Sequence, residues 1–398
     1  MLATKIAVIG QGYVGLPISI AACDAGFLVL GIDTDEIKIQ KLANGLSGIE
    51  DIEDDKLLKL ISAGRFEPSS SYEKISECKI ILICVPTPLT SDLQPDLTAV
   101  ISAVKEISKY FTDDSLIILE STVSPGTTRN FLLPLLEKYS GKSRKDFHVA
   151  FSPERIDPRN KQWDLKNTPK LVAGLTSNSG VIAKNFYENF IEKVITVDSL
   201  EVAEIAKLLE NSFRLVNISF INEVAVFCNK IGVDINAVIQ AAATKPYGFM
   251  PFYPSIGVGG HCIPVDPIYL SSKANEIGTP IKSIDLAAQV NLDMPKYFIE
   301  RAEDFLSTLI NKKIIVIGVA YKPNISDVRE TRVKELITGL RDKGAEVFWH
   351  DEHVKHWGNS ISVELDNSFD LAIIATEHDD LDLTKLGQTP IINCRNSI

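Results

Sequence analysis

The sequence predicts an α/β protein with two Rossmann-like, doubly wound domains joined by a long central helix and a small helical region. Three observations carry this. A strand pattern at the N-terminus runs into a glycine-rich turn and a helix. A second strand–turn–helix–strand pattern starts near residue 312. Between them, residues 200–231 lack glycine and proline and keep a helical apolar period. The expected domains are 1–195, a dinucleotide-binding unit; 196–300, a central helical unit for catalysis and dimerisation; and 301–398, a second Rossmann-like unit. A chain of 398 residues is too long for one ordinary core.

Hydrophobic residues make up 45% and charged residues 23%, an ordinary globular balance. The net charge of -11 disfavours nucleic acid and anionic membrane surfaces as partners, and an anionic substrate would need local Lys or Arg clamps. Cys23, Cys78, Cys84, Cys228, Cys262 and Cys394 are scattered without CxxC spacing, the usage of a reducing compartment. No apolar run approaches the roughly 20 residues that span a bilayer. The N-terminus enters a strand directly, leaving no room for a signal peptide, so a cytoplasmic protein is expected.

Lys5–Ile9 is a short apolar run that reads as a buried strand. It enters Gly10-Gln11-Gly12-Tyr13-Val14-Gly15, a helical pattern follows to Ala25, and Leu28–Ile32 reads as a second strand ending on Asp33, 23 residues past Gly10. This is GxGxxG in the setting its chemistry needs. Gly10 makes the turn, Gly12 lets a pyrophosphate approach, Gly15 permits helix–strand packing, and the helix N-terminus faces the phosphates. Asp33 would accept from both ribose hydroxyls and repel a 2′-phosphate, so NAD is expected rather than NADP.

Three more strands are expected at Ile80–Val85, Ser115–Glu120 and Phe147–Phe151. They end in Pro86-Thr87-Pro88, Ser121-Thr122 and Ser152-Pro153-Glu154-Arg155. Ligands of a doubly wound sheet lie beyond the carboxyl ends of its strands. Thr87 and Thr122 could equally cap helices.

On the central helix, Leu209, Phe213, Val216, Phe220, Val224 and Phe227 recur at spacings of three and four, a stripe suited to the core or to a partner subunit. Glu204, Lys207, Asn211 and Arg214 form a second stripe. It is either a solvated salt-bridged face or a set of groups that hold a sugar and a developing oxyanion.

Gly257-Val258-Gly259-Gly260-His261-Cys262-Ile263-Pro264-Val265-Asp266 delivers one cysteine on a glycine-rich loop, with a carboxylate four residues later. A thiolate adds to carbonyl carbons, and a nearby acid or base resolves the adduct. A buried cysteine beside a tight turn would read the same way. A metal site on His261 and Cys262 is disfavoured, because adjacent residues rarely chelate one ion and no further Cys/His cluster has zinc-like spacing, so no metal is expected.

In the C-terminal unit, Lys312–Gly318 is a strand entering the turn Val319-Ala320-Tyr321-Lys322-Pro323. A helix from Arg329 to Lys343, a strand at Glu346–Asp351 and another at Phe369–Thr376 follow. One glycine replaces the full fingerprint. The unit could bind a nucleotide diphosphate with Lys322 at the phosphates, or be purely structural. Two α/β units flanking the Cys262 loop suggest a reaction in the cleft between domains.

GQGYVGLP (Gly10–Pro17), VPTP (Val85–Pro88), STVSPGTT (Ser121–Thr128), FSPER (Phe151–Arg155), EIAKLLENSFR (Glu204–Arg214), GVGGHCIPVDP (Gly257–Pro267) and YKPNISDVRET (Tyr321–Thr331) together resemble the UDP-glucose/UDP-N-acetylhexosamine 6-dehydrogenase family over essentially the whole chain. The resemblance implies NAD-dependent, four-electron oxidation of a sugar C6 alcohol to a carboxylate. It makes Cys262 the nucleophile, Lys207 the general acid/base or oxyanion partner, and Asn211 a second oxyanion donor. Asp266, Glu154 and Thr122 would place the hydrolytic water. Tyr13, Val14, Asp33, Thr87, Thr122 and Arg329 fall on the family's NAD positions, with Arg329 acting across a subunit boundary. Arg155, Ile156, Lys207, Asn211, Arg214, Gly259, Tyr321 and Lys322 fall on its sugar-nucleotide positions. A homodimer or larger homo-oligomer is implied.

Within the family, Thr244–Pro254 resembles the UDP-N-acetylglucosamine 6-dehydrogenases of bacterial surface-polysaccharide pathways, and it lacks the His-Pro-Arg of the N-acetylmannosamine branch. Tyr247, Phe249, Phe252 and Tyr253 could wall an N-acetyl group or simply pack the loop. Ser255-Ile256 and Arg159 depart from the family's usual Gly-Pro and Gly. The rivals are a UDP-glucose or UDP-N-acetylmannosamine dehydrogenase of the same mechanism and, more remotely, a non-catalytic NAD-binding regulator, which the intact Lys207/Asn211/Cys262/Asp266 set disfavours.

Overall fold

The structure, a computed structural model, describes residues 4–49, 52–157, 159–160 and 162–396. The chain divides into two compact units, Met1–Leu209 and Glu210–Ile398.

The first unit runs β1 (Lys5–Ile9), α1 (Gly15–Asp24), β2 (Leu28–Ile32), α2 (Glu36–Ala43), α3 (Asp54–Ser62), β3 (Phe66–Ser69), β4 (Ile80–Ile83), α4 (Thr98–Ile107), β5 (Leu116–Leu119), α5 (Leu133–Ser140), β6 (His148–Phe151), β7 (Lys170–Gly174), α6 (Ser177–Tyr187) and β8 (Val194–Thr196). Its sheet has the order β3-β2-β1-β4-β5-β6-β7-β8. All neighbours are parallel except β6 and β7. Parallel strands covered on both faces must be apolar throughout, and β4 and β5 read IILI and LIIL, buried at every position. Alternate side chains feed two cores. Ile6, Val8 and Leu82 pack in one; Ala7, Ile9 and Ile83 pack in the other. The strand order reverses between β1 and β4, so the turns after these strands open at the point where such sheets bind ligands.

α7 (Leu200–Lys230) carries the chain from one unit into the next. The second unit continues with α8 (Ile235–Ala243), α9 (Asp266–Glu276), α10 (Lys282–Leu306), β9 (Lys313–Ile317), α11 (Val333–Asp342), β10 (Glu346–His350), the short ribbon β11 (His356–Trp357) and β12 (Ser360–Ile361), then β13 (Leu371–Ile374) and β14 (Ile391–Asn393). Its parallel sheet has the order β10-β9-β13-β14. α10 lays Met294, Phe298 and Ala302 into the core over β9 and β13.

The expected helix from Arg329 begins only at Val333. Glu330 has φ 50°, a left-handed conformation that a helix cannot include, so Arg329–Arg332 stay in the turn. Lys5–Ile9 and Leu28–Ile32 form with the expected bounds, and the other expected strands are one or two residues shorter at one or both ends.

Candidate active site

In the first unit, the turn after β1 has the shape a dinucleotide phosphate needs. A Cβ on Gly10 would lie 2.6 Å from the Cys84 carbonyl oxygen, and one on Gly15 would lie 1.8 Å from the Gly10 carbonyl oxygen. A Cβ on Gly12 would meet nothing within 4 Å, so that residue borders open space where a ligand can come close. Tyr13 and Val14 line the turn half-buried. Asp33 stands just past β2. It accepts from the Gln11 amide at 2.9 Å, the Asp35 amide at 3.0 Å and Lys38 Nζ at 2.8 Å. Burial alone would raise this carboxyl, but Lys38 and the two amides outweigh it and hold Asp33 ionised below the usual range. A glycine turn, a helix N-terminus and an anionic acceptor fit NAD.

The ends of β4, β5 and β6 bring the other predicted groups of this unit to one rim. Thr87 is buried beyond β4, Thr122 half-buried beyond β5, and Glu154 buried beyond β6. Ser121 Oγ donates to the Val85 carbonyl at 2.6 Å, tying the exits of β4 and β5 together. Arg155 donates to the Pro169 carbonyl at 2.8 Å, and Ile156 follows it half-buried. Lys207 Nζ lies 3.7 Å from Glu154 Oε2, and both side chains are nearly enclosed. Arg159 adopts φ 61°, a left-handed conformation that glycine enters without strain.

The polar stripe of α7 is largely buried. Glu204, Lys207 and Asn211 are enclosed, and Arg214 is exposed. Glu204 does work that periodicity could not reveal: its carboxylate accepts from the amides of Gly126 at 2.6 Å and Thr128 at 2.9 Å, holding the loop after Thr122. The apolar stripe is the outward one, with Phe220 and Phe227 each 61% exposed. An amphipathic period identifies two faces of a helix but not which one is covered.

In the second unit, Cys262 is exposed while Cys23, Cys78, Cys228 and Cys394 are buried. Its carbonyl accepts from the Asp266 amide at 2.8 Å, a turn that starts α9 and puts Asp266 in the first turn of that helix, where a carboxylate is favoured. Asp266 is buried and takes a 2.6 Å hydrogen bond from Asn211 Nδ2. The loop presses on the second motif: a Cβ on Gly259 would lie 2.7 Å from Tyr321 Cβ, and one on Gly260 would lie 2.7 Å from the Tyr321 ring. The Gly260 amide donates to the Arg329 carbonyl at 2.9 Å. Lys322 follows Tyr321 half-buried, and the Arg329 guanidinium forks onto Asp327, with Nη2 2.6 Å from Oδ2. His261 is held below its usual range by burial first and then by Arg329, so the residue beside Cys262 stays a neutral imidazole at neutral pH.

Three family models match successive parts of the chain. Residues 4–191 match the NAD binding domain, 201–293 the central domain and 315–398 the UDP binding domain of the UDP-glucose/GDP-mannose dehydrogenase family. The chain belongs to this family. It is an NAD-dependent UDP-sugar dehydrogenase. Among similar proteins, Protein CapL of Staphylococcus aureus is 36% identical over 87% of this chain and 82% of its own length. A UDP-N-acetyl-D-glucosamine 6-dehydrogenase of Salmonella typhi is 34% identical over 94% of this chain and 90% of its own. The solved UDP-D-ManNAc dehydrogenase of Pyrococcus horikoshii superposes with a TM-score of 0.90 at 31% identity, covering 99% of this chain and 96% of that one.

Several supports of the dehydrogenase's cysteine loop carry no sequence signal. Asn291, on α10, accepts from the Val258 amide at 2.5 Å, and Asn222, on α7, accepts from the Ser255 amide at 2.8 Å. Asp351, Glu352 and His378 gather ligand-type atoms within 4.8 Å of one another. The hydrogen bonding argues against a cation there. His378 Nδ1 accepts the Asn324 amide proton at 2.8 Å, so the neutral ring carries its hydrogen on Nε2 and donates it to Asp351 Oδ2 at 3.2 Å. Among the described residues, no helix is long and apolar enough to cross a membrane.

Proposed function

We propose that this dehydrogenase oxidises UDP-N-acetylglucosamine at C6 to UDP-N-acetylglucosaminuronic acid, in the service of surface-polysaccharide synthesis in the cytoplasm. The observation that carries the chemistry is an exposed Cys262 thiol on a rigid glycine loop, followed by a buried Asp266 that Asn211 holds at 2.6 Å. NAD, when bound, supplies the hydride acceptor for each oxidation. Lys207 takes the proton of the C6 hydroxyl as the aldehyde forms. The Cys262 thiolate adds to the aldehyde carbon, giving a thiohemiacetal whose C–H bond can donate a second hydride; the product is a thioester. Lys207 and Asn211, one turn apart on α7, stabilise the oxyanion. Water, placed by Glu154, Asp266 and Thr122, adds to the thioester carbon. The C–S bond breaks, the uronate leaves, and the thiol is restored.

Tyr321, Lys322, Gly259, Arg155, Ile156 and Arg214 are assigned to the sugar nucleotide. Gly10, Gly12, Tyr13, Val14, Gly15, Asp33, Thr87, Thr122 and Arg329 are assigned to NAD. The exposed apolar stripe of α7 is assigned to a homodimer.

The choice of sugar rests on Thr244–Pro254, which lacks His-Pro-Arg, and on the likeness to the Salmonella typhi enzyme. The likeness to the Pyrococcus horikoshii enzyme favours a second reading, the C2 epimer UDP-N-acetylmannosamine. Tyr247, Phe249 and Tyr253 are exposed and Phe252 packs edge-on against Phe213 at 5.7 Å, so the aromatics form no closed wall that would choose between the epimers. NADH formation with UDP-N-acetylglucosamine, UDP-N-acetylmannosamine and UDP-glucose, with mass spectrometry of the products, tests the reading. The highest kcat/KM with UDP-N-acetylglucosamine is expected, and a preference for either rival overturns the assignment.

A further inference from the structure

Glu120 and Lys170 form an ion pair inside the first unit. Lys170 Nζ lies 2.7 Å from Glu120 Oε2, with side-chain exposures of 6% and 0%. The fully buried Tyr187 hydroxyl, from α6, donates to the other carboxylate oxygen. Lys170 also reaches the Pro153 carbonyl at 3.3 Å and sits 4.9 Å over the Tyr187 ring. Burial and the adjacent Glu120 hold the Tyr187 phenol well above its usual range, so it remains a donor.

A buried ion pair is weak evidence of a gain in stability. Enclosing two charges costs several kcal/mol each in desolvation, and apolar side chains of similar volume usually serve a core as well. Directional bonds do something apolar packing cannot: they fix the register of the segments that carry them. Glu120 lies one residue past β5 and two before Thr122. Lys170 begins β7 and grips the carbonyl of the residue before Glu154. The Ser152 hydroxyl bonds the Leu171 carbonyl at 2.8 Å, closing the same frame.

We propose that Glu120, Lys170 and Tyr187 are positioning residues for thioester hydrolysis, setting the backbone segments that carry Thr122 and Glu154. The proposal rests on the assignment of Thr122 and Glu154 to the hydrolytic water. Misplacing that water slows the last step more than the two oxidations, which Thr122 and Glu154 touch only through NAD and Lys207.

The test replaces the cluster with apolar side chains of similar size, as Glu120→Leu/Lys170→Met/Tyr187→Phe. The expected variant unfolds near the parental midpoint, and its turnover falls far more than either substrate's KM rises. It loses about 10²-fold in kcat, the scale of a misplaced catalytic group. Rapid mixing shows a burst of NADH before slow turnover, and intact-protein mass spectrometry shows the acyl adduct on Cys262. Parental kcat with no adduct overturns the proposal. Glu154→Gln is the control. If it is impaired and acylated while the triple variant behaves as the parent, only the positioning role falls. If it is fully active, the assignment of Glu154 falls, and the proposal with it. Should the triple variant not fold, Tyr187→Phe alone, which deletes one hydroxyl, is expected to lower kcat with KM unchanged and to show the adduct; parental behaviour overturns the proposal.

Discussion

Asp351 occupies in the second unit the position that Asp33 occupies in the first. Each lies one residue past the strand that follows the glycine turn and its helix, and each takes a backbone amide from that turn. Asp33 receives the Gln11 amide at 2.9 Å; Asp351 receives those of Val319 at 2.7 Å and Ala320 at 3.1 Å. His378 shares the same Asp351 oxygen, and the amides of His353 and Val354 take the other at 2.9 Å. The second acid is saturated from within the protein. The first keeps acceptor capacity on Oδ1, which takes the Asp35 amide at 3.0 Å. One fold position thus leaves acceptor capacity open in one unit and serves the fold itself in the other.

Asp33→Ala is expected to weaken NAD binding by about tenfold to a hundredfold, the worth of hydrogen bonds to a charged acceptor. NADP binding falls less, because the repulsion of a 2′-phosphate disappears and Lys38 is released from its carboxylate partner. Titrating both nucleotides checks this; an unchanged ratio of dissociation constants removes Asp33 from the ribose site.

Asp351 governs acid stability. Burial opposes its charge, but His378 and the surrounding amides outweigh burial and hold the carboxyl at about 2, below its ordinary 3.8. A depressed carboxyl stabilises the fold above its unfolded value, and that contribution disappears as pH falls from near 4 toward 2. Asp351→Asn is expected to cost on the order of 1–3 kcal/mol at neutral pH, because an amide NH2 would face donors. Its unfolding midpoint should vary less than the parent's between these pH values. Circular dichroism melts across that range decide the point, and parallel curves for the two proteins count against it.

Cys262→Ala is expected to bind NAD and the UDP-sugar with parental affinity and to release no uronate. Calorimetry gives the binding and mass spectrometry the product. Uronate formation at a parental rate would remove the covalent step.

Glu204→Ala leaves the amides of Gly126 and Thr128 without their acceptor inside the protein. A loss of about 2–4 kcal/mol in stability is expected, at the usual price of one to two buried unsatisfied groups. Glu204→Gln keeps one acceptor oxygen and should lose less. Urea unfolding orders the three proteins, and equal midpoints would show that water replaces the carboxylate.

Phe220→Asp/Phe227→Asp places charge on the exposed apolar face of α7. Contiguous exposed apolar surface on a helix marks an interaction site, and buried charge breaks it. Light scattering is expected to show a smaller assembly than the parent; equal masses would overturn the assignment of this face to a subunit contact.

Local pattern sufficed wherever a motif lies within one stretch of chain. The turn at Gly10–Gly15, the acid at Asp33, the cysteine loop and the long helix are all legible because neighbouring residues set backbone conformation and chemistry together. The start of α11 was not, since Glu330 leaves the helical region only when the loop from Tyr321 is folded against Asp327. Nor was the role of Glu204, whose partners lie 76 and 78 residues away, or the pairing of Glu120 with Lys170, 50 residues apart.

The order of residues by itself determined most of the strands, the phosphate turn, the cysteine loop and the family. Tertiary structure alone decided which stripe of α7 is covered, which of two equivalent acids is left to meet a ligand, and which buried charges find each other. The reason is physical: a side chain's period along its own element is set locally, whereas its burial and its hydrogen-bond partner depend on whatever other segment the fold brings against it.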